Sequence, residues 1–227
     1  MRKVMIFYAS YGGGHLSAAR SIKECLETNY SDVETTLVDC MEYVNKTFNK
    51  VTTKAYAEMA KKVPNAWGRL YWESQKGPIA QISTASNIIL SKKLYKLLDT
   101  FNPDIIISTH PFSSQMCAYL KKQGKLNAKI ATVMTDYAPH DQWLVFNQYV
   151  DYFFVSHEGM KQQLHSKGIP NEKIFATGIP LSNKFLLKYD KSQILESFGL
   201  SSNRKTVLFF GGGEFGLGKK QTFNIFK

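Results

Sequence analysis

The sequence predicts a doubly wound α/β fold built on a parallel sheet. Two observations predict it. Short, nearly continuous apolar runs recur along the 227 residues, as required of strands buried on both faces. Stretches with apolar residues at helical spacing separate them, the alternation of strand–helix–strand crossovers. Hydrophobic residues make up 44% of the chain, enough to bury a core without disulfides.

The expected strands are Val4–Ala9, Val33–Val38, Asp104–Ser108, Ile130–Met134, Tyr152–Val155 and Val207–Phe210. After the first, Ala18, Ile22, Cys25 and Leu26 repeat at helical spacing. Ser113–Lys122 and Glu158–Lys167 read as further crossover helices. Residues 41–100 interrupt the alternation with several helical pieces, broken near Pro64 and Gly77-Pro78. Residues 1–180 are expected to form an N-terminal α/β domain and 181–205 a linker, carrying a short helix over Ser182–Phe198. Residues 206–227 read as the start of a second α/β domain that the chain does not complete, so a fragment or a truncated product is expected.

Cys25, Cys40 and Cys117 are odd in number and form no CxxC pair, so neither a disulfide framework nor a zinc site is suggested. No signal peptide is visible, and Gly77–Ser91 is too short and too polar to span a membrane. The formal charge is +11. Between Tyr43 and Lys96 ten Lys and Arg face only Glu58 and Glu73, so this segment carries most of the excess. Trp67, Tyr71 and Trp72 lie there among Lys61, Lys62, Arg69 and Lys76. Aromatic rings favour interfacial depth, and each Lys or Arg near an anionic surface contributes about 1 kcal/mol. The segment is expected to dock on an anionic membrane, with an ordinary solvated helical excursion as the plainer reading. No recognised module accompanies the charge, so nucleic acid is not expected as a partner.

Three motifs carry candidate chemistry. In Tyr11-Gly12-Gly13-Gly14-His15 a strand enters a glycine turn and a helix leaves it. Glycine permits close backbone approach, and the helix start favours an anion. Gly12, Gly14 and Ser17 also approximate a dinucleotide fingerprint, with Asp39 where a ribose-binding acid would sit, so an oxidoreductase stays open. In Thr135-Asp136…His140…Trp143 a carboxylate closes a strand, and an imidazole and an indole follow that could orient a base and pack a sugar ring. A turn-capping Asp136 is the alternative. His110, in Ser108-Thr109-His110-Pro111, also follows a strand, and a lone histidine there is more often structural. All three motifs are expected at strand C-terminal ends, hence along one edge of the sheet.

With Thr177-Gly178-Ile179-Pro180 and Gly211-Gly212-Gly213, these motifs occur in an order that resembles the monogalactosyldiacylglycerol synthases and the bacterial processive diacylglycerol glucosyltransferases, over residues 1 to about 220. The resemblance implies a GT-B glycosyltransferase, with this chain supplying its Rossmann-like N-terminal half. It implies a diacylglycerol acceptor, UDP-glucose or UDP-galactose as donor, inversion at the anomeric carbon, and no cofactor or tightly bound metal. It places the enzyme peripherally on the cytoplasmic face of the cell membrane. It casts His15 as the base, with Asp136 as alternative base or as the group orienting His15. Gly12, Gly13, Gly14, His110, His140, Trp143, Gly211, Gly212 and Gly213 become substrate-binding positions. A non-catalytic membrane-associating domain is the second expectation.

Overall fold

A computed structural model describes residues 1–11, 13–46 and 78–208, with single positions 54, 58 and 224. Gly12, Trp67, Arg69, Tyr71, Trp72, Gly211, Gly212 and Gly213 lie outside the described residues. The chain forms two compact units, Met1–Ser182 and Asn183–Lys227.

The first unit is a parallel sheet with crossover helices. Its strands are β1 (Arg2–Tyr8), β2 (Val33–Asp39), β3 (Ile105–Ser108), β4 (Lys129–Val133), β5 (Tyr152–Val155) and β6 (Ile174–Ala176). They pair in the order β2-β1-β3-β4-β5-β6, and every pairing is parallel. The apolar run of β1 explains its central place. Val4 and Ile6 pack with Ala19 on one face, while Met5 and Phe7 join Ile106, Met116, Ile130 and Phe153 on the other. Each such fully buried side chain contributes about 1.5–3 kcal/mol.

The helices are α1 (Gly13–Asn29), α2 (Pro78–Phe101), α3 (Pro111–Lys122) and α4 (Glu158–Ser166), with a further helical stretch over 40–46. Their starts follow from local chemistry. The Asp39 carboxylate accepts from the amides of Met41 and Glu42, both at 3.0 Å, and so caps the 40–46 stretch. His110 accepts the Phe112 amide at 3.2 Å and His157 the Met160 amide at 3.2 Å, capping α3 and α4. Proline occupies the first position of α2 and of α3, where its missing N–H costs nothing.

The strand order contains a reversal. The chain runs from β1 outward to β2, then returns across β1 to β3 on its other side. The C-terminal ends of β1 and β3 thus flank a topological switch point, where open α/β sheets bind ligands. Register fixes those ends, with Phe7 opposite Ser108 and Ser108 opposite Thr132.

The structure differs from the sequence expectation in three places. Ile174–Ala176 adds an edge strand that the sequence expectation lacks; its apolar run is only three residues long, and Phe175 and Ala176 are exposed. Beyond it the Thr177 and Gly178 amides both reach the Val155 carbonyl, at 3.1 and 3.2 Å, and Gly178 takes a φ of +86° that favours glycine. In the second unit, the helix expected over Ser182–Phe198 is a 3-10 turn, Asn183–Leu186, and a short helix α5, Lys191–Ser197, capped by Asp190. Val207 and Leu208, expected to open a strand, are exposed and outside any strand.

Candidate active site

β1 ends at Tyr8, and α1 starts at Gly13 and Gly14, whose φ angles are not positive. Among the described residues, a β-carbon at either glycine would meet nothing within 4 Å, so neither backbone geometry nor packing against those residues requires glycine there. The first turn of α1 presents an open backbone surface beside His15.

His15 is held from the end of β3. Its Nδ1 lies 2.6 Å from the Thr109 carbonyl oxygen and 3.0 Å from the Thr135 hydroxyl. A carbonyl only accepts, so Nδ1 carries the proton and Nε2 carries the lone pair. The Thr109 hydroxyl lies 2.9 Å from the His15 carbonyl and 3.2 Å from that of Phe7, which fastens the start of α1 to β1 and β3. Burial lowers the His15 pKa, against the Thr109 hydrogen bond and the field of Asp136, which raise it. The ring is therefore neutral at pH 7, as a general base must be.

His110 meets His15 edge to face, with ring centroids 4.6 Å apart, and stacks on Tyr11 at 5.5 Å. It is almost fully buried, and burial first, then His15 and His140, pushes its pKa well down. Its Nδ1 accepts the Phe112 amide, so the neutral ring carries its proton on Nε2. The structural reading given for a lone histidine at this strand end thus holds for one nitrogen of the ring, which caps a helix.

Asp136 lies in a bend just past β4 rather than closing the strand. The Trp143 indole N–H donates to its Oδ2 at 2.7 Å, and His140 Nε2 is 3.7 Å from the same oxygen. No hydrogen bond joins Asp136 to His15, so the orienting contact on His15 comes from Thr109 and Thr135, while Asp136 acts on it through space. Trp143 is 1% exposed and part of the core. It has no open ring face for packing a sugar, contrary to the expectation, and its indole instead fixes the carboxylate. The His140 ring lies 5.9 Å from that of Trp143, and burial lowers its pKa, opposed chiefly by Asp136.

A buried amide relay that the sequence reading missed supports this loop. Asn87 of α2 donates to Gln115 Oε1 at 2.8 Å, and Gln115 of α3 donates to the Gln142 carbonyl at 2.7 Å and to its Oε1 at 2.9 Å. Gln142 precedes Trp143 in the chain, so the relay sets where the indole sits. A glutamine and an asparagine at buried positions of amphipathic helices were the available signal. Thr109 acts through a backbone oxygen and leaves no signal in the sequence.

Asp39, the candidate ribose ligand of the dinucleotide reading, caps the 40–46 helix with one oxygen and accepts the Ser10 hydroxyl at 2.5 Å with the other. A buried, occupied carboxylate is poorly placed to take two ribose hydroxyls. Among the described residues, no group of three or more His, Cys, Asp or Glu is arranged to hold a metal ion. A cavity of about 330 Å³ lies at the opposite end of the strands, lined by residues such as Asp104 and Ala128, away from these side chains.

Residues 15–181, which include His15, Thr109, His110, Thr135, Asp136, His140 and Trp143, match the family described as monogalactosyldiacylglycerol (MGDG) synthase. The chain belongs to the MGDG synthase family. Its six-stranded parallel sheet is accordingly the Rossmann-like half of a GT-B fold, as the resemblance implied. Among curated relatives, a processive diacylglycerol beta-glucosyltransferase of Staphylococcus epidermidis is 29% identical over 219 residues, covering 96% of this chain and 54% of the relative. One of Bacillus cytotoxicus is 28% identical over 217 residues, covering 95% and 54%. The chain thus spans about half the length of the curated relatives it matches. A solved Listeria monocytogenes structure, described as a UDP-N-acetylglucosamine 2-epimerase, superposes with a TM-score of 0.50 at 16% identity, covering 87% of this chain and 51% of that one. That likeness concerns the fold alone.

Proposed function

We propose that this MGDG synthase family member serves glycolipid synthesis by binding diacylglycerol and activating its hydroxyl for attack on a UDP-hexose. Nε2 of His15 takes the hydroxyl proton, the oxygen attacks the anomeric carbon from the face opposite UDP, and the diphosphate departs, inverting the anomeric centre. Amides at Gly13 and Gly14, at the start of α1, would stabilise charge on the departing diphosphate. Asp136, fixed by Trp143, favours the imidazolium that forms, and His110 and His140 line the same strand ends. No step in this scheme requires a metal. The single observation that carries the reading is the Thr109 carbonyl against His15 Nδ1, which makes Nε2 the basic nitrogen at the switch point.

A lipid acceptor requires approach to a bilayer. Among the described residues no helix is long and apolar enough to cross a membrane. The basic, aromatic segment with Trp67, Arg69, Tyr71 and Trp72 is the proposed docking surface, on the cytoplasmic face where UDP-sugars are available.

The test is product formation. The chain, alone and fused to the second half of the Staphylococcus epidermidis relative, is incubated with vesicles containing diacylglycerol and with UDP-glucose or UDP-galactose. Hexosyl-diacylglycerol from the fusion is the expected result. A folded fusion that binds vesicles and UDP-sugar yet forms no glycolipid with either donor contradicts it.

A further inference from the structure

The nitrogen of His15 that faces away from the proposed chemistry has two acceptors, and they come from different strands. The Thr109 carbonyl, just past β3, lies at 2.6 Å, and the Thr135 hydroxyl, just past β4, lies at 3.0 Å. One N–H between two oxygens forms a shared hydrogen bond. Because the carbonyl cannot donate, the hydroxyl takes part through a lone pair. Among the described residues the hydrogen bonds to the ring are made at Nδ1, and His110 packs edge to face against it.

We propose that Thr135 is a positioning residue for His15, whose hydroxyl fixes the imidazole plane and stabilises the imidazolium that forms when Nε2 takes a proton. This rests on the reading of His15 as the base. The Thr109 acceptor is a backbone atom present whatever the side chain, so Thr135 supplies the only one of the two acceptors that a substitution removes. A protonated ring is a stronger donor than a neutral one, so losing an acceptor disfavours the charged form. Three other titratable groups face His15. Asp136 favours its protonation, and a charged His15 in turn disfavours protonation of His110 and His140. None of the three is hydrogen-bonded to Nδ1, so none replaces the hydroxyl. The arrangement also gives adjacent residues separate tasks, with Thr135 holding the base and Asp136, held by Trp143, supplying charge.

The test is a titration of the histidine side chains by 15N-edited NMR on the full chain and its Thr135→Val and Thr135→Ser variants. In the unaltered chain the neutral His15 ring is expected to be protonated on Nδ1. Thr135→Val is expected to lower the His15 pKa by about one unit, and Thr135→Ser to restore it. His165, whose ring meets the Ile169 carbonyl away from Thr135, serves as the control, with resonances that stay in place if the fold is unchanged. A neutral His15 protonated on Nε2 overturns the proposal without any variant. So does a His15 pKa equal in the Val variant and the unaltered chain, or one lowered equally by Val and Ser. In the fusion enzyme, Thr135→Val should move the acid limb of kcat/KM to lower pH by the same amount, and Thr135→Ser should not. If the NMR results hold while His15→Ala retains full transfer, the base reading fails and the positioning of the ring stands. If His15→Ala abolishes transfer while Thr135→Val leaves the His15 pKa in place, the positioning proposal fails alone.

Discussion

The Thr109 carbonyl oxygen lies 2.6 Å from Nδ1 of His15, and this contact assigns the two nitrogens of the ring opposite tasks. A backbone acceptor at the end of β3 holds the proton-bearing nitrogen, which leaves the lone pair of Nε2 at the switch point between β1 and β3. The contact is made by the fold rather than by a neighbouring carboxylate.

The pH dependence of transfer follows. Burial lowers the His15 pKa from its ordinary value near 6.5. A base works when neutral, so kcat/KM should be flat near pH 7 and fall only as the pH drops through a value below about 6.5. A pH–rate profile with its acid limb above pH 7 would conflict with a buried base.

Trp143→Phe keeps most of the aromatic volume and removes the N–H that reaches Asp136 at 2.7 Å. The expected loss of stability is about 2 kcal/mol, read from urea unfolding. A freed Asp136 should also lower kcat more than it raises KM. An indole acting as a sugar platform would raise KM instead.

The amide relay supports a second stability prediction. Gln115→Met removes the central member between Asn87 and Gln142 and takes away the acceptor of the buried Asn87 amide. A cost of about 2–3 kcal/mol is expected by chemical unfolding. A change under about 0.5 kcal/mol would mean the relay does not hold the loop.

At the other end of the sheet, Asp151 accepts from Lys121 at 2.5 Å, Lys129 at 3.1 Å and the Ile130 amide at 2.9 Å. Burial pushes its carboxyl up, but Lys121, the Ile130 amide and Lys129 together outweigh it, and the pKa is lowered. Its contribution is present above the unfolded-state value of about 3.9 and is lost as the pH falls through the lower folded value. Asp151→Asn should therefore destabilise the protein at pH 7 and flatten the acid limb of its stability curve below about pH 4. An unchanged limb would show the pair to be ornamental.

The proposed membrane contact predicts co-sedimentation with vesicles containing anionic lipid, weakening as salt rises. Equal binding to neutral vesicles at any salt would remove the electrostatic part of that reading.

Much of this site was legible in the sequence because strand ends have a signature. An apolar run followed by glycine, or by Thr-Asp or Thr-His, marks a strand and its exit, and register then brings His15, His110 and Asp136 to one edge. What escaped has physical causes. β6 is an edge strand whose apolar run, Ile174–Ala176, is only three residues long, too short to stand out as a strand. Trp143 reads as a ligand platform until its burial is known, because an indole beside a carboxylate suits either place. The Thr109 carbonyl is a main-chain atom that every residue possesses, and only the meeting of the first turn of α1 with the end of β3 gives it a partner. Gln115 and Asn87 sit on apolar helix faces where their partners lie on other elements, beyond the reach of local pattern.

The most direct measurement is the turnover of hexose transfer by His15→Ala in the fusion enzyme, with the melting temperature as control. Loss of the base predicts a fall in kcat of roughly 10²–10⁴-fold with little change in folding. Turnover within a few fold of the unaltered enzyme, in a variant that melts at the same temperature, would contradict the assignment of His15 as the base.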